Sequence, residues 1–428
     1  MINNILENIK ESALRKFYKT KLKKYFVFRI IVNFIFWRLI FTQLFKPFVF
    51  LFFEKYKTIS LSNYIKHNKI KKKNLFKESK IKKIKLQVIN LQNNKKKYYY
   101  TVTKWPSVDL IRFKDVNIIG KSDLIFQNKN IIHHDFYNFK KDYLSEELHL
   151  KAKYFCNNLY FSNFKTKKKY HSGAVFTHSC SSNFFHWMFE VLPKVYSFCK
   201  LKKFSHIPIF VDKGLHKNIY RSLKLICGKK RKIFYLNSNH FVSFNEMYFV
   251  TPPCYVPFEP RYSFISSSYP SGIFHGGVIK KMREEILKNI KKSKKCLSKI
   301  YLTRSQGYRK AYNQKSLINF FKSRKFFFFS GEKYSFDQQV SFFNKSLFIY
   351  SSTGAALSNI IFCKKKSDIS IFFPDSYKKS IFLWKLLSNF LNLNIKILLC
   401  KSHWTSIFNQ IHADYKVNIK NLKILSNN

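Results

Sequence analysis

A histidine and a glutamate stand four residues apart in the segment NFFHWMFEVLPKV, at His186 and Glu190. Residues at this spacing share one face of a helix, so the carboxylate can orient the imidazole and raise its basicity. Such a pair is suited to general-base catalysis on a hydroxyl group, with either side chain taking the proton. A buried histidine that only locks the helix through Glu190 is the alternative, and the spacing leaves both interpretations open.

Two of the chain's 11 arginines, Arg304 and Arg309, lie five residues apart in a sequence that otherwise prefers lysine. They belong to the loop RSQGYRKAYN, which ends at Asn313 and follows the predicted strand KIYLT. A planar guanidinium group can bind a diphosphate through two hydrogen bonds. The pair therefore indicates an anion site, and a surface ion pair or a solvated loop is the alternative.

A run of small residues follows the predicted strand LFIYSS, namely Thr353, Gly354, Ala355 and Ala356. A helix that starts at or near Gly354 would turn its first N–H groups and its dipole toward an anion. Asn359, one turn later, could hydrogen-bond the same ligand. An ordinary strand-to-helix turn capped by Thr353 is the alternative.

Short apolar runs alternate with amphipathic helices over 171–255 and again from 278 to the C-terminus, where two helices are predicted to end the chain. This rhythm predicts parallel sheets covered by helices. Residues 252–277 hold five prolines, which indicates a linker. We expect two α/β domains, 111–255 and 278–428, facing across a cleft, with ligands beyond the carboxyl ends of the strands.

Residues 1–110 form a basic and hydrophobic extension in this interpretation. The stretch 26–53 is intensely apolar but contains Arg29, Arg38 and Lys46, which disfavours a membrane-spanning helix. It predicts a segment lying on a membrane surface, with an N-terminal helix packed on the fold as the alternative. Residues 57–98 contain 14 lysines and one glutamate, which predicts a solvated, partly disordered tract.

The net charge of +58, from 80 Lys+Arg against 22 Asp+Glu, suggests nucleic-acid binding if taken literally. However, 69 of these cations are lysines, and Phe, Tyr, Asn and Ile are also abundant. Codon bias in an A/T-rich genome explains this composition without a functional basic surface. The eight cysteines include no C-x-x-C pair, which favours a reducing compartment.

The three segments, in this order, resemble glycosyltransferase family 61, the capsular-polysaccharide type. NFFHWMFEVLPKV is similar to the family's N-Y/F-F/Y-H-W-x-x-D/E-x-L-P-R/K signature. YLTRSQGYRKAYN resembles its arginine-containing segment, and FDQQVSFFNKSLFIYSSTGAALSNIIFC resembles its Q…G-A-A/G…N block. The chain departs from the family at three positions. Gln314 stands where the family has a glutamate, Thr353 where it often has a histidine, and Ile371 where it usually has a glutamate.

The resemblance implies a GT-B fold with two Rossmann-like domains and inverting, metal-independent transfer of a hexose or pentose from a nucleotide-sugar, with UDP expected. No Asp-x-Asp motif is present to bridge a metal, and no cofactor is expected. Arg304, Arg309, Asn313, Asn359 and residues 353–356 would hold the donor. The acceptor would be a glycan or a lipid-linked glycan of capsular polysaccharide or lipopolysaccharide synthesis, reached from the cytoplasmic face of the membrane. An inactive scaffold with this fold and a basic nucleic-acid-binding protein are the alternatives.

Overall fold

The computed structural model describes residues 53–137, 152–155, 158–162, 166–238, 240–256, 272–291, 293, 297–304, 308–376, 381–403 and 413–427. One compact unit, Tyr56–Leu159 with Phe164–Asn428, contains the two sheets that matter for function.

Strands and helices alternate through most of the chain. In chain order the strands are β1 Phe53–Ser60, β2 Lys72–Phe76, β3 Lys82–Asn90, β4 Lys95–Thr103, β5 Val108–Ile119, β6 Ile125–Gln127, β7 Asn130–His133, β8 Ala152–Phe155, β9 Asn158–Ser162, β10 Thr166–Val175, β11 Ile209–Asp212, β12 Ile233–Leu236, β13 Phe241–Val250, β14 Cys254–Tyr255, β15 Ile273–Phe274, β16 Lys299–Leu302, β17 Phe327–Phe329, β18 Phe348–Ser352, β19 Asp368–Pro374, β20 Asn394–His403 and β21 Asp414–Lys416. The α-helices are α1 Leu61–His67, α2 Phe184–His186, α3 Leu192–Cys199, α4 Lys217–Cys227, α5 Gly276–Asn289, α6 Gln314–Ser323, α7 Phe336–Lys345, α8 Leu383–Leu387 and α9 Ile419–Asn427.

The first sheet has a parallel half and an antiparallel half. Strands β12, β11, β10 and β13 lie side by side and run parallel. Strand β5 then pairs antiparallel with β13 and leads through β6 and β7 to β1. Helices α3 and α4 connect the parallel strands, as the short apolar runs separated by helical segments predicted.

The second sheet is parallel from β17 through β16, β18, β19 and β20 to β3, and β4 closes it as an antiparallel edge strand. The chain is therefore a mixed α/β protein with parallel sheets, as predicted. Buried residues of the two sheets and their helices form one continuous cluster that includes Leu86, Trp187, Ile279, Ile349 and Ile397. The two-domain GT-B arrangement and the domain boundaries stay predictions.

The lysine-rich tract 57–98 is folded, contrary to the expectation of a partly disordered segment. In β3, Ile84, Leu86 and Val88 are buried and alternate with exposed or half-buried polar residues. A strand needs only every second residue to be apolar, so the lysines occupy its outer positions without opposing the fold.

The C-terminal prediction also needs correction, because strands β20 and β21 stand between the two helices expected there. Residues of the predicted linker form the short antiparallel pair β14–β15, while 257–271 lie outside the described residues. The apolar segment 26–53 lies outside them as well, apart from Phe53 at the start of β1. Within the described residues, no helix is both long and apolar enough to cross a membrane.

Candidate active site

A cavity of about 420 Å³ opens at the carboxyl ends of β16, β17 and β18, where a parallel sheet normally binds its ligand. The other wall comes from helices that connect strands of the first sheet. It consists of Ser182, just before α2, Phe184, within α2, and residues at the start of α4. Segments that are far apart in the chain thus enclose one space. The wall-forming residues that matter below are Arg304, Gly331, Glu332, Gln339, Gly354 and Ala355.

Arg304 follows β16 and lies in the wall of this cavity. Its Nη1 donates a hydrogen bond to the carbonyl oxygen of Thr353, 3.1 Å away. Burial lowers the pKa of Arg304 from its usual value, but a guanidinium group stays charged under all ordinary conditions. The predicted convergence of Arg304 with residues 353–356 is therefore present in the fold.

The segment after β18 is a 3₁₀ helix, Ala355–Phe362, and not the α-helix that was expected. Gly354 precedes it with an extended backbone, and a Cβ at that position would collide with Nη1 of Arg304. Gly354, Ala355 and Ala356 line the cavity. Their small side chains leave the guanidinium group and the first N–H groups of the turn open to an anion.

Thr353 and Asn359 lie deeper than the sequence suggested. The hydroxyl of Thr353 accepts a hydrogen bond from Nε1 of Trp384 at 3.0 Å. The amide of Asn359 is fully buried and donates to Gln339 and to the carbonyl oxygen of Ala356. Both side chains stabilise the cavity wall through hydrogen bonds to other protein groups. Their role as direct ligand contacts stays a prediction.

Gln339 is a wall residue to which sequence reasoning assigned no role. Its Nε2 donates to the carbonyl oxygens of Gly331 and Tyr334, at 2.7 and 3.0 Å, and its Oε1 accepts from Asn359. One side chain thus ties the loop after β17 to the 3₁₀ helix after β18. Its place in the glutamine-containing block was the available signal.

Arg309 and Asn313 lie outside the cavity wall as described. The side-chain amide of Asn313 exchanges two hydrogen bonds with the backbone of Val417, at 2.8 and 3.0 Å. Arg309 is half-buried and adopts a left-handed backbone with φ 63°. Donor contacts from these two residues stay predictions.

His186 and Glu190 form the predicted pair across one helical turn, with Nδ1 of His186 hydrogen-bonded to Oε2 of Glu190. The turn between α2 and α3, Trp187–Val191, is π-helical, since the N–H of Leu192 bonds to the carbonyl oxygen of Trp187. Pro193 follows at once and cannot donate a backbone hydrogen bond to the preceding turn. The helix thus passes Pro193 through a π turn, a feature frequent at functional sites, instead of breaking there.

The two members of the pair differ in access to solvent. The His186 side chain is 24% exposed, whereas that of Glu190 is 3% exposed. The second carboxylate oxygen of Glu190 accepts the N–H of Val256 at 2.7 Å. Burial alone would favour the protonated acid, but His186 and His178 hold the pKa of Glu190 below its usual range.

Behind this pair lies a buried polar cluster that the sequence reasoning missed, formed by Asp123, His178, Lys194 and Asp212. Nε2 of His178 is 3.8 Å from Glu190, and its ring stacks on that of His186 with centroids 6.0 Å apart. The backbone N–H of His178 donates to Asp212 at 3.0 Å. The sequence signal was partial: His178 follows one strand, β10, and Asp212 ends another, β11, but only the structure shows that these strands are parallel neighbours.

At Asp123 burial alone would raise the pKa, but the hydrogen bond and charge of His134 lower it. Burial decides the direction of the pKa shift at the other three members of the cluster. It lowers the pKa of His178 to about 4, although Glu190 and Asp123 partly offset it. Burial likewise lowers the pKa of Lys194 and raises that of Asp212. His178 is therefore a neutral imidazole near pH 7.

Aromatic contacts join the histidine pair to the arginine site. Phe185 packs edge-on against Trp384, with ring centroids 5.5 Å apart, and Trp384 donates to Thr353. Helix α2 also contacts the 3₁₀ helix Ala355–Phe362. His186 itself is not a wall residue, but Ser182 and Phe184 just before it are. Among the described residues, no three His, Cys, Asp or Glu side chains are grouped so as to hold a metal ion.

Residues 184–370 match the family model described as Glycosyltransferase 61. The match begins at Phe184, includes both the histidine pair and the arginine site, and confirms the resemblance of the three segments. No curated protein sequence matches the chain.

Proposed function

The chain contains a glycosyltransferase family 61 domain and is a glycosyltransferase, and we propose that it moves a sugar from a nucleotide-sugar, with UDP as the nucleotide, to a glycan or lipid-linked acceptor. The observation that supports the donor is the convergence of Arg304, Gly354 and the following turn on one cavity. Arg304 supplies a cation to this cavity, and the small residues Gly354, Ala355 and Ala356 line it as well; Glu332 is the one carboxylate among the wall residues.

Transfer requires that charge on the departing diphosphate be stabilised. We assign this to Arg304 and to the N–H groups of Ala355 and Ala356, which act as preorganised donors in a partly enclosed site. Such donors can do for the leaving group what a metal ion does in other enzymes. Metal independence is part of the proposal.

The proposed base is His186, because its side chain is the exposed member of the pair. If Glu190 accepts the Nδ1–H of His186, then Nε2 is free to take the proton of the acceptor hydroxyl. Glu190 is enclosed and already accepts hydrogen bonds at both oxygens, so we assign it a positioning role. A base that acts on the acceptor while the diphosphate leaves from the opposite side of the sugar gives inversion.

The acceptor and the location complete the proposal. We propose a role in surface polysaccharide synthesis on the cytoplasmic face of a membrane, with the apolar segment 26–53 on the membrane surface. Deletion of residues 1–52 should then lower the fraction of the protein recovered on membranes, whereas recovery of the full chain entirely outside the membrane fraction would contradict this part.

Titration calorimetry with UDP in the presence of EDTA tests the donor site. We expect binding by the full chain and weak binding by the variant Arg304→Lys, which keeps the charge but loses the planar fork. Binding that appears only after Mn²⁺ is added would contradict metal independence. If neither UDP nor any other nucleoside diphosphate binds under either condition, the proposed donor class is wrong.

A further inference from the structure

One face of the β3–β4 hairpin carries lysines and tyrosines and little else. The antiparallel register places Lys83 opposite Val102 and Lys85 opposite Tyr100, and directly opposed residues project from the same side of a sheet. Tyr98 lies on this side as well, opposite Gln87. We call Lys83, Lys85, Tyr98, Tyr100 and Val102 the lysine–tyrosine face.

The lysine–tyrosine face is exposed although its strands are firmly anchored. Tyr98 and Tyr100 are 52% and 54% exposed, and Val102 is 38% exposed. The opposite side of β3 is buried in the main core. Strand β4 is the last strand of its sheet and pairs with β3 along its whole length, so the face belongs to a regular hairpin and is accessible.

The charge of this region has a single sign. Residues 79–108 contain eight lysines and no acidic residue. The nearest acid before them, Glu78, is paired with Lys104 at 2.7 Å. The face therefore presents positive charge that no carboxylate of the hairpin neutralises.

We infer that the lysine–tyrosine face docks the protein on a membrane containing anionic lipids. Lysine ammonium groups attract anionic headgroups, and tyrosine places its ring and hydroxyl at the boundary between headgroups and acyl chains. The inference rests on the proposed membrane location, which it assigns to a described surface, and it does not depend on the nucleotide site.

The geometry favours a lipid surface over a nucleic acid. Nζ of Lys85 lies 4.0 Å from the ring centroid of Tyr98, and Nζ of Lys83 lies 4.9 Å from that of Tyr100. Each ring thus already carries a cation on one of its two faces, which leaves less ring surface for a stacked base. The hairpin also lacks arginine, the usual residue for base readout.

Co-sedimentation of the full chain with vesicles tests this inference. Vesicles of phosphatidylcholine alone are compared with equimolar phosphatidylcholine and phosphatidylglycerol. The double variant Lys83→Gln/Lys85→Gln is matched by Lys315→Gln/Lys322→Gln, which removes the same charge from the exposed side of α6. We expect the hairpin variant to bind anionic vesicles on the order of 30-fold more weakly, from about 1 kcal/mol per cation, and the control variant to bind like the original chain.

Several outcomes would overturn the inference. Equal binding of the two variants, or equal binding of the original chain to both kinds of vesicle, shows that the face does not recognise anionic lipid. If single-stranded RNA displaces the protein from vesicles and only the hairpin variant loses RNA binding, the face serves nucleic acid instead. Unchanged UDP binding and thermal unfolding of both variants confirm that only the surface was altered.

Discussion

The guanidinium group of Arg304 occupies the space next to Gly354 that a side chain at position 354 would need. The backbone at Gly354 is extended, at φ 168° and ψ 170°, so the conformation itself does not call for glycine. The absence of a Cβ is required by the arginine alone. This relationship joins the arginine segment and the small-residue segment, the two sequence features that together predicted an anion site.

Gly354→Ala should therefore weaken UDP binding by about tenfold or more while leaving the thermal midpoint nearly unchanged. The added methyl group displaces a flexible side chain and not the backbone, and a displaced charged donor costs about 1.5–3 kcal/mol. Calorimetry and thermal unfolding measure the two quantities. In an Arg304→Ala background the same change should have little further effect on affinity, and full additivity would contradict the direct contact.

Replacing Arg304 by lysine should reduce UDP affinity by roughly ten- to a hundredfold while hardly changing the affinity for uridine, which has no phosphate. Arg309→Lys is the matched control. Because Arg309 lies outside the cavity wall, we expect it to cost less. Equal losses in both variants would mean that the two arginines share the diphosphate, as their spacing predicted.

The parts of the fold with strong local patterning could be predicted from sequence. Strands β16 and β18 coincide with the predicted strands KIYLT and LFIYSS, and helix α4, Lys217–Cys227, is one of the amphipathic helices expected within 171–255. Strand β20 was missed because its apolar residues follow a helical segment without a proline or glycine between them. Strand β3 was missed because its lysines hid a two-residue apolar period, and β4 because its sequence KKKYYYTVT has no such period.

The site was predictable only where it depends on local sequence. The His186–Glu190 pair follows from helical spacing, and Arg304 could be placed near Gly354 because both follow strands expected to be parallel. The positions of His178 and Asp212 depend on the order of strands in the sheet, which the sequence does not specify. The same holds for Gln339, whose partners come from two different loops.

The histidine pair leads to a prediction about tautomers. His186→Ala should lower turnover by about 10²–10⁴, the usual contribution of a general base, without changing the affinity for UDP. Glu190→Gln should lower turnover comparably, because an amide that donates to Nδ1 moves the proton to Nε2 and removes the basic nitrogen.

Turnover and UDP affinity of both variants test this assignment, with the thermal midpoint as the control for folding. Glutamine can still accept the N–H of Val256, so we expect the variant to remain folded. Loss of UDP binding or of the folded state in both variants would show that the pair only holds the helix. A loss of turnover in Glu190→Gln alone would identify Glu190 as the base.

The buried imidazole of His178 should make stability depend on pH. Burial lowers its pKa to about 4 in the folded protein, whereas an ordinary histidine in the unfolded chain titrates near 6.5. Between these values the unfolded state binds a proton that the folded state does not, so stability falls as the pH decreases from about 6.5 to about 4. The full difference corresponds to roughly 3 kcal/mol, at 1.36 kcal/mol per pKa unit.

Urea unfolding of the original chain and of His178→Asn at pH 7.5 and pH 4.5 measures this contribution. The variant starts from lower stability, since asparagine replaces a packed ring, but it should lose about 2–3 kcal/mol less than the original chain on acidification. His206→Asn, which changes an exposed histidine, should lose as much as the original chain. Parallel losses in all three proteins would mean that His178 binds its proton as readily in the folded protein as in the unfolded chain.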